Sequence, residues 1–128
     1  MKKLLLLDTN VWIDYLRGCP EAVSYVTAQA EPIILSTVVA AELYAGVRDD
    51  EDIARLDEFL SQFPTVPVTI EIARSAGLFK RDYYRSHGVG LADAILAATA
   101  ETQQAELKTL NIKHYPMLKG LKPPYVKN

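Results

Sequence analysis

The stretch that decides the fold is LLLLDTN at residues 4–10, in which four leucines run directly into an aspartate. A short apolar run with an abrupt end is typical of a strand buried on both faces, so we predict a strand over Lys3–Leu7. Asp8 then lies at the carboxyl end of that strand. Ligands of open α/β sheets bind beyond the carboxyl ends of the strands, so Asp8 is a candidate site residue if the sheet is parallel.

Strands and helices alternate along the rest of the chain. Further strands are predicted at Pro32–Leu35, in TVPV at residues 65–68, in ELKTL at residues 106–110 and near Tyr125. Helices are predicted to begin near residues 9, 20, 36, 49, 69 and 90, with Thr9 or Asn10 as the cap of the first. This alternation predicts an α/β fold, a parallel sheet with helices on both faces. No linker or repeat divides residues 1–128, so we predict a single domain.

The composition and charge argue against several classes of protein. The formal net charge is −2, so no global basic field points to a nucleic-acid partner. Cys19 is the single cysteine; it cannot form an internal disulfide and favours a reducing compartment. The leucines stop at Asp8, too early for a signal peptide, and no run reaches the ~20 apolar residues of a membrane span. We therefore predict a cytoplasmic protein.

Two further carboxylates lie in apolar sequence. Glu42 in STVVAAELYAG and Asp93 in GLADAILAATA have no polar residue three or four positions away, where helical neighbours lie. Asp14 differs, because it can pair with Arg17 and face water. We assign Asp14 no chemistry.

Each of these carboxylates also has a simpler explanation. Asp8 can cap the following helix, Glu42 can reach solvent at a helix edge, and Asp93 can interact with the dipole at a helix N-terminus. If they are buried instead, they need a cation, because an isolated buried carboxylate is costly. A divalent metal is an economical solution, since Mg²⁺ and Mn²⁺ favour oxygen ligands.

Four segments resemble a known family: LLLDTNVWIDYLRG, STVVAAELYAG, GLADAILAATA and LKTLNIKHYPML. In their order and spacing they are similar to the PIN domain and, more narrowly, to the VapC-type toxins of bacterial toxin–antitoxin pairs. The resemblance implies a three-layer α/β/α sandwich with a central, mostly parallel sheet, a metal-dependent ribonuclease activity and a homodimer. It also implies a small antitoxin protein whose tail occupies the active-site groove.

The resemblance also assigns site residues, one by one. The family's first acid falls on Asp8, its glutamate on Glu42 and its third acid on Asp93. Asp8 and Asp93 would be the main ligands of Mg²⁺ (or Mn²⁺), and Glu42 would complete the cluster directly or through water. Such a site suits hydrolysis of an RNA phosphodiester bond, because a metal can polarise the phosphate and activate a water.

Asn111 departs from the family's pattern. Many members have an aspartate in the segment that matches TLNIKHY, whereas Asn111 can ligate or orient a water only through an uncharged carbonyl oxygen. We keep Asn111 as the fourth candidate catalytic residue, with His114 as an alternative group for proton transfer. The departure also leaves open a second function, a PIN-like module that binds RNA or protein without cutting.

RNA would need positive charge beside the acids. Lys80, Arg81 and Arg85 on one predicted helix are candidates for phosphate contacts. Tyr84 and Tyr115 are candidates for stacking on bases, and burial in the core or a dimer interface is the alternative for both.

Overall fold

Strand β1 (Leu4–Leu7) forms the centre of the computed structural model, which describes residues 3–127. Its neighbours are β2 (Ile33–Ser36) and β4 (Ala105–Lys108), and the two-residue strand β3 (Thr65–Val66) pairs with β2. The order is β3-β2-β1-β4, and every pairing is parallel. The predicted parallel sheet is therefore confirmed, and β3 lies at an edge, as Pro67 directly after it favours.

Both faces of β1 are covered. Leu5, Leu6 and Leu7 are each at most 3% exposed. Since successive side chains of a strand point to opposite faces, consecutive buried residues require packing on both sides of the sheet. This is why the sequence reads as a continuous apolar run rather than an alternating one.

Helices connect the strands and supply the two outer layers. Within residues 3–127 they are α1 (Thr9–Leu16), α2 (Pro20–Thr27), α3 (Thr37–Ala45), α4 (Asp50–Leu60), α5 (Ile70–His87) and α6 (Leu91–Gln103), followed after β4 by a 3₁₀ turn (Ile112–His114). α5 packs along α6. In this described part of the chain, no helix is both long and apolar enough to cross a membrane. The layered α/β architecture agrees with the sandwich that the resemblance implies.

Polar side chains set the starts of most helices. Ser36, Asp49 and Thr69 cap α3, α4 and α5, as their positions before the helical segments predicted. For α1 the expected caps Thr9 and Asn10 were wrong, and the alternative that Asp8 caps the helix is confirmed. The backbone of Asp8 is extended, and its carboxylate accepts a hydrogen bond from the Thr9 amide, so Thr9 already belongs to the helix.

The C-terminal segment corrects two further predictions. No strand follows β4 within the described residues, so the strand predicted near Tyr125 is absent there. The Tyr125 hydroxyl instead donates to Asp14 Oδ2 at 2.9 Å, and Lys127 Nζ lies 3.2 Å from the same oxygen. Asp14 is therefore 13% exposed and pairs with the distant tail rather than with Arg17. Local spacing cannot reveal a partner more than 100 residues away.

Candidate active site

The fold brings the carboxyl ends of β1 and β4 together at one edge of the sheet. The two strands pair in parallel from Leu4–Ala105 to Leu7–Lys108, so Asp8 and Thr109 follow them side by side. Asp93 joins them from the first turn of α6. Three segments that are far apart in sequence thus place polar side chains at one point.

Asp8 is buried and fully engaged in hydrogen bonds. It is 6% exposed. Its Oδ1 accepts from the Thr9 amide at 2.7 Å, and its Oδ2 accepts from the hydroxyls of Thr109 and Tyr115 at 2.8 and 2.9 Å. Asp8 is therefore both the cap of α1 and the centre of a polar network.

Burial raises the pKa of Asp8 above its ordinary value. The hydrogen bonds from Thr109, Tyr115 and Thr9 act in the opposite direction, and the neighbouring charge of Asp93 adds to the rise. Within residues 3–127, no lysine, arginine or histidine forms an ion pair with Asp8. Among the described residues, Asp8 itself therefore has hydroxyl and amide donors but no cationic side-chain partner.

Asp93 lies beside Asp8 and is half-buried. Its Oδ1 is 3.3 Å from the Tyr115 hydroxyl, which also contacts Asp8. Its Oδ2 is 3.4 Å from His114 Nδ1. The single hydroxyl of Tyr115 therefore touches both carboxylates.

Glu42 lies next to this pair but not within it. It is exposed on α3, contrary to the burial that its apolar neighbours suggested, and it accepts a 2.5 Å hydrogen bond from Thr9 Oγ1. Thr9 thus joins the two acids, since its amide bonds Asp8 and its hydroxyl bonds Glu42. Glu42 reaches solvent because its helix packs on the sheet through Val39 and Leu43 on another face.

Asn111 enters the site through its backbone. Its amide donates to Thr109 Oγ1 at 3.0 Å, and its side chain is exposed. Asn10 fixes the same segment, because its Oδ1 accepts from the Leu110 amide and its Nδ2 lies 3.4 Å from Thr109 Oγ1. The turn after β4 is therefore tied to the start of α1.

The donor set fits one divalent ion better than two. Asp8 and Asp93 present oxygens that converge on a single point, and Mg²⁺ typically takes one or two carboxylates and keeps several waters. In the described part of the chain, no group of three or more histidine, cysteine, aspartate or glutamate side chains is close enough to hold a metal.

Sequence reasoning missed the role of Tyr115. Its alternatives were base stacking and apolar burial; in the structure the ring is 1% exposed and the hydroxyl bonds the acids. Thr109 also bonds Asp8 directly, through its hydroxyl. The usable signal for Thr109 was its position directly after β4, a strand adjacent to β1, and recognising it requires the strand order. Tyr115 lies beyond the 3₁₀ turn that follows, where local spacing offers no such signal.

The predicted basic side chains lie on the surface of α5. Arg81 and Arg85 are exposed, and Lys80 Nζ lies 4.6 Å from the centre of the Tyr84 ring, which is 58% exposed. Lys113 is exposed between Asn111 and His114, in the turn that borders the acids.

A groove of about 550 Å³ opens between α1, α3 and α4. Its apolar lining includes Leu16, Leu43, Leu56 and Phe59. Glu42 also lines it, so the groove leads to the acidic site. Three arginines border it: Arg17, Arg48 and Arg55.

Comparisons with known proteins agree with this geometry. A family model described as the PIN domain matches residues 5–115. Ribonuclease VapC10 of Mycobacterium tuberculosis is 41% identical over 127 residues, covering 95% of this chain and 93% of the relative. Ribonuclease VapC19 of the same species is 41% identical over 124 residues, covering 94% and 98%. Among solved structures, a chain of a toxin–antitoxin complex from Klebsiella pneumoniae is 28% identical with a TM-score of 0.81, covering 94% of this chain and 98% of that one. The chain therefore belongs to the PIN domain family and, within it, to the VapC ribonucleases.

Proposed function

We propose that this chain is the toxin of a toxin–antitoxin pair, an endoribonuclease that hydrolyses RNA phosphodiester bonds and depends on Mg²⁺ or Mn²⁺. The observation that carries the proposal is the convergence of Asp8 and Asp93, one buried and one half-buried, without an ion pair from a described lysine or arginine. Membership of the VapC ribonucleases supports the activity and the class of substrate.

Asp8 and Asp93 would hold the ion. When bound, a divalent ion supplies polarisation of the scissile phosphate and a lower pKa for a bound water. Asp8 is pre-positioned by the hydrogen bonds from the Thr9 amide and the Thr109 hydroxyl, so little side-chain freedom is lost when it becomes a ligand.

Glu42 is proposed to orient and deprotonate the attacking water. It is exposed at the mouth of the site and held by Thr9, within one residue of Asp8. Asn111 would offer its carbonyl oxygen to a water or phosphate from the opposite rim, where its side chain is exposed. His114, beside Asp93, is the nearest described imidazole for proton transfer to the leaving oxygen.

The antitoxin is proposed to cover the groove between α1, α3 and α4. An apolar floor suits the apolar face of an amphipathic segment, and the rim is of mixed charge because Asp52 pairs there with Arg48 and Arg55. Because the groove ends at Glu42, the same segment can place a basic side chain beside the acids. Toxin–antitoxin complexes among the similar structures support this partner.

Three further features are part of the proposal: a single domain, a homodimer and a cytoplasmic location. Residues 1–128 form a single domain, which the family match over residues 5–115 supports. A homodimer follows from the family resemblance. A cytoplasmic location is proposed from the single Cys19, because one cysteine favours a reducing compartment.

A cleavage assay on total RNA tests the activity. The purified, antitoxin-free protein is incubated with Mg²⁺, Mn²⁺ or EDTA, beside Asp93→Asn and, as a matched control, Asp50→Asn on the exposed start of α4. We expect discrete fragments with metal, none with EDTA, and a loss of at least 100-fold in rate for Asp93→Asn only. Intact RNA in all lanes, from protein shown to be folded, would favour the non-cleaving binding module instead.

A further inference from the structure

Tyr115 is buried in an unusual place for a tyrosine hydroxyl. The residue is 1% exposed, and its hydroxyl oxygen lies 2.9 Å from Asp8 Oδ2 and 3.3 Å from Asp93 Oδ1. A phenol has one proton, so it can donate to only one of the two carboxylates at a time. The hydroxyl therefore lies between two acids and cannot satisfy both.

The surrounding hydrogen bonds show where the protons lie. The Thr109 oxygen accepts from the Asn111 amide at 3.0 Å and has Asn10 Nδ2 at 3.4 Å, so its own proton points to Asp8 Oδ2. Asp8 Oδ2 thus accepts from Thr109 and Tyr115 together. Asp8 Oδ2 and Asp93 Oδ1 are therefore the two carboxylate oxygens that share the Tyr115 hydroxyl.

We propose that, without metal, the Tyr115 hydroxyl occupies the space between Asp8 and Asp93 that a divalent ion needs, and that it thereby lowers the metal affinity of the site. The inference rests on the proposed metal-dependent function. Tyr115 is a positioning residue: it contacts the proposed ligands, and nothing in its role requires contact with RNA.

Two physical effects predict that the Tyr115 hydroxyl lowers, rather than raises, the affinity of the site for a metal. A hydroxyl donor stabilises two neighbouring carboxylates that would otherwise repel, so it favours the metal-free protein. Mg²⁺ binds oxygens at ~2.0–2.1 Å, so an ion shared by these two oxygens must displace the phenol and break its hydrogen bonds. Removing the hydroxyl should therefore destabilise the metal-free state and strengthen metal binding.

The test compares Tyr115→Phe with Tyr125→Phe. Tyr125 is a matched control, because its hydroxyl also donates to an aspartate at 2.9 Å, but that aspartate is Asp14, away from the site. Mn²⁺ binding is measured by calorimetry, and thermal unfolding is measured in EDTA and in excess Mn²⁺. Neither readout requires RNA cleavage.

We expect Tyr115→Phe to bind Mn²⁺ at least threefold more tightly than the unaltered protein. In EDTA its Tm should fall by about 5 °C, and the deficit should shrink in excess Mn²⁺. Tyr125→Phe should lower the Tm equally in both conditions and leave the Mn²⁺ affinity unchanged.

Unchanged or weaker Mn²⁺ binding by Tyr115→Phe would overturn this inference and leave the metal site standing. If the unaltered protein binds no Mn²⁺, both the metal site and this inference are wrong. Binding that survives in Asp93→Asn places the ion elsewhere and also overturns the inference.

A second measurement needs no variant of Tyr115. The seven tyrosines are labelled with ¹³C at Cζ, and Mg²⁺ is titrated into the protein. In the unaltered protein one tyrosine resonance should shift, and the midpoint of that shift should equal the midpoint of Mg²⁺ binding. In Asp93→Asn no tyrosine resonance should shift. Binding of Mg²⁺ without a shift of any tyrosine resonance would contradict displacement of the hydroxyl.

Discussion

At the scale of single residues, Asp8 combines two roles that the sequence left as alternatives. It caps α1 through the Thr9 amide, and it accepts from Thr109 and Tyr115 inside the site. Capping explains why an aspartate is tolerated at the end of a buried strand, since a charge-assisted hydrogen bond to the helix start offsets part of its desolvation. Capping does not give Asp8 a cationic side-chain partner among residues 3–127, which is why a metal is part of the proposed function.

Asp8→Asn should make the metal-free protein more stable at pH 7. Burial raises the pKa of Asp8, so its ionised form disfavours the fold. This penalty is absent below the ordinary pKa of 3.8, where Asp8 is protonated in both states, grows as the pH rises from there to the folded-state pKa, and is complete above it. In EDTA we expect a Tm gain on the order of 3 °C at pH 7 that shrinks as the pH falls towards 4.

Asp14→Asn is the control for this measurement. Asp14 is also largely buried, but it has cationic and hydroxyl partners in Lys127 and Tyr125. Its replacement should lower the Tm. A fall in Tm for Asp8→Asn as well would show that its hydrogen bonds outweigh its burial and contradict the counter-ion argument.

At the scale of elements, the connection between α5 and α6 positions Asp93. α5 ends at Gly88, whose φ of 64° lies in the left-handed region that favours glycine, and α6 begins three residues later. This turn sends the chain back so that α6 packs along α5. The same reversal places the first turn of α6, with Asp93, at the site.

Gly88→Ala and Gly77→Ala should change stability in opposite directions. A Cβ at either position meets no atom within 4 Å, so only backbone preferences differ. Alanine at the left-handed Gly88 should cost about 1 kcal/mol, whereas alanine inside α5 at Gly77 should add about 0.5–1 kcal/mol. Urea unfolding of the two variants checks this, and equal effects of the same sign would contradict it.

At the scale of the whole molecule, the C-terminal segment around Tyr125 packs against α1 and α2. Tyr125 packs its ring against Tyr25 of α2, with 6.1 Å between ring centres, and its hydroxyl bonds Asp14 of α1. The tail does this without forming a strand, so its contribution comes from side chains alone. It lies apart from the acids, and stability and activity should therefore separate here.

Tyr125→Ala should lower the free energy of unfolding by about 1–2 kcal/mol, because it removes a half-buried ring and a hydrogen bond to a carboxylate. Tyr84→Ala, which removes a largely exposed ring, should change it by less than about 0.5 kcal/mol. Urea unfolding measures both. RNA cleavage per folded molecule should be unchanged in Tyr125→Ala, and a loss of cleavage would show that the tail supports the site.

Much of the fold was predictable because local rules and the fold agree. The apolar run before Asp8, the polar caps Ser36 and Thr69, and Pro67 after the edge strand each express a preference that acts within a few residues. The strand predicted near Tyr125 was wrong because local rules do not decide that segment. Its contacts are with a distant residue, Asp14.

The parallel α/β layers, the helix starts and the acids at the ends of elements follow from local sequence, because periodicity and capping depend on neighbours in the chain. Which side chains meet in the site depends on packing. Strand order set Thr109 beside Asp8, helix packing left Glu42 exposed, and the turn after β4 put the Tyr115 hydroxyl between Asp8 and Asp93. The physical reason is that burial and hydrogen bonding across about 100 residues are properties of packing, which local spacing does not encode.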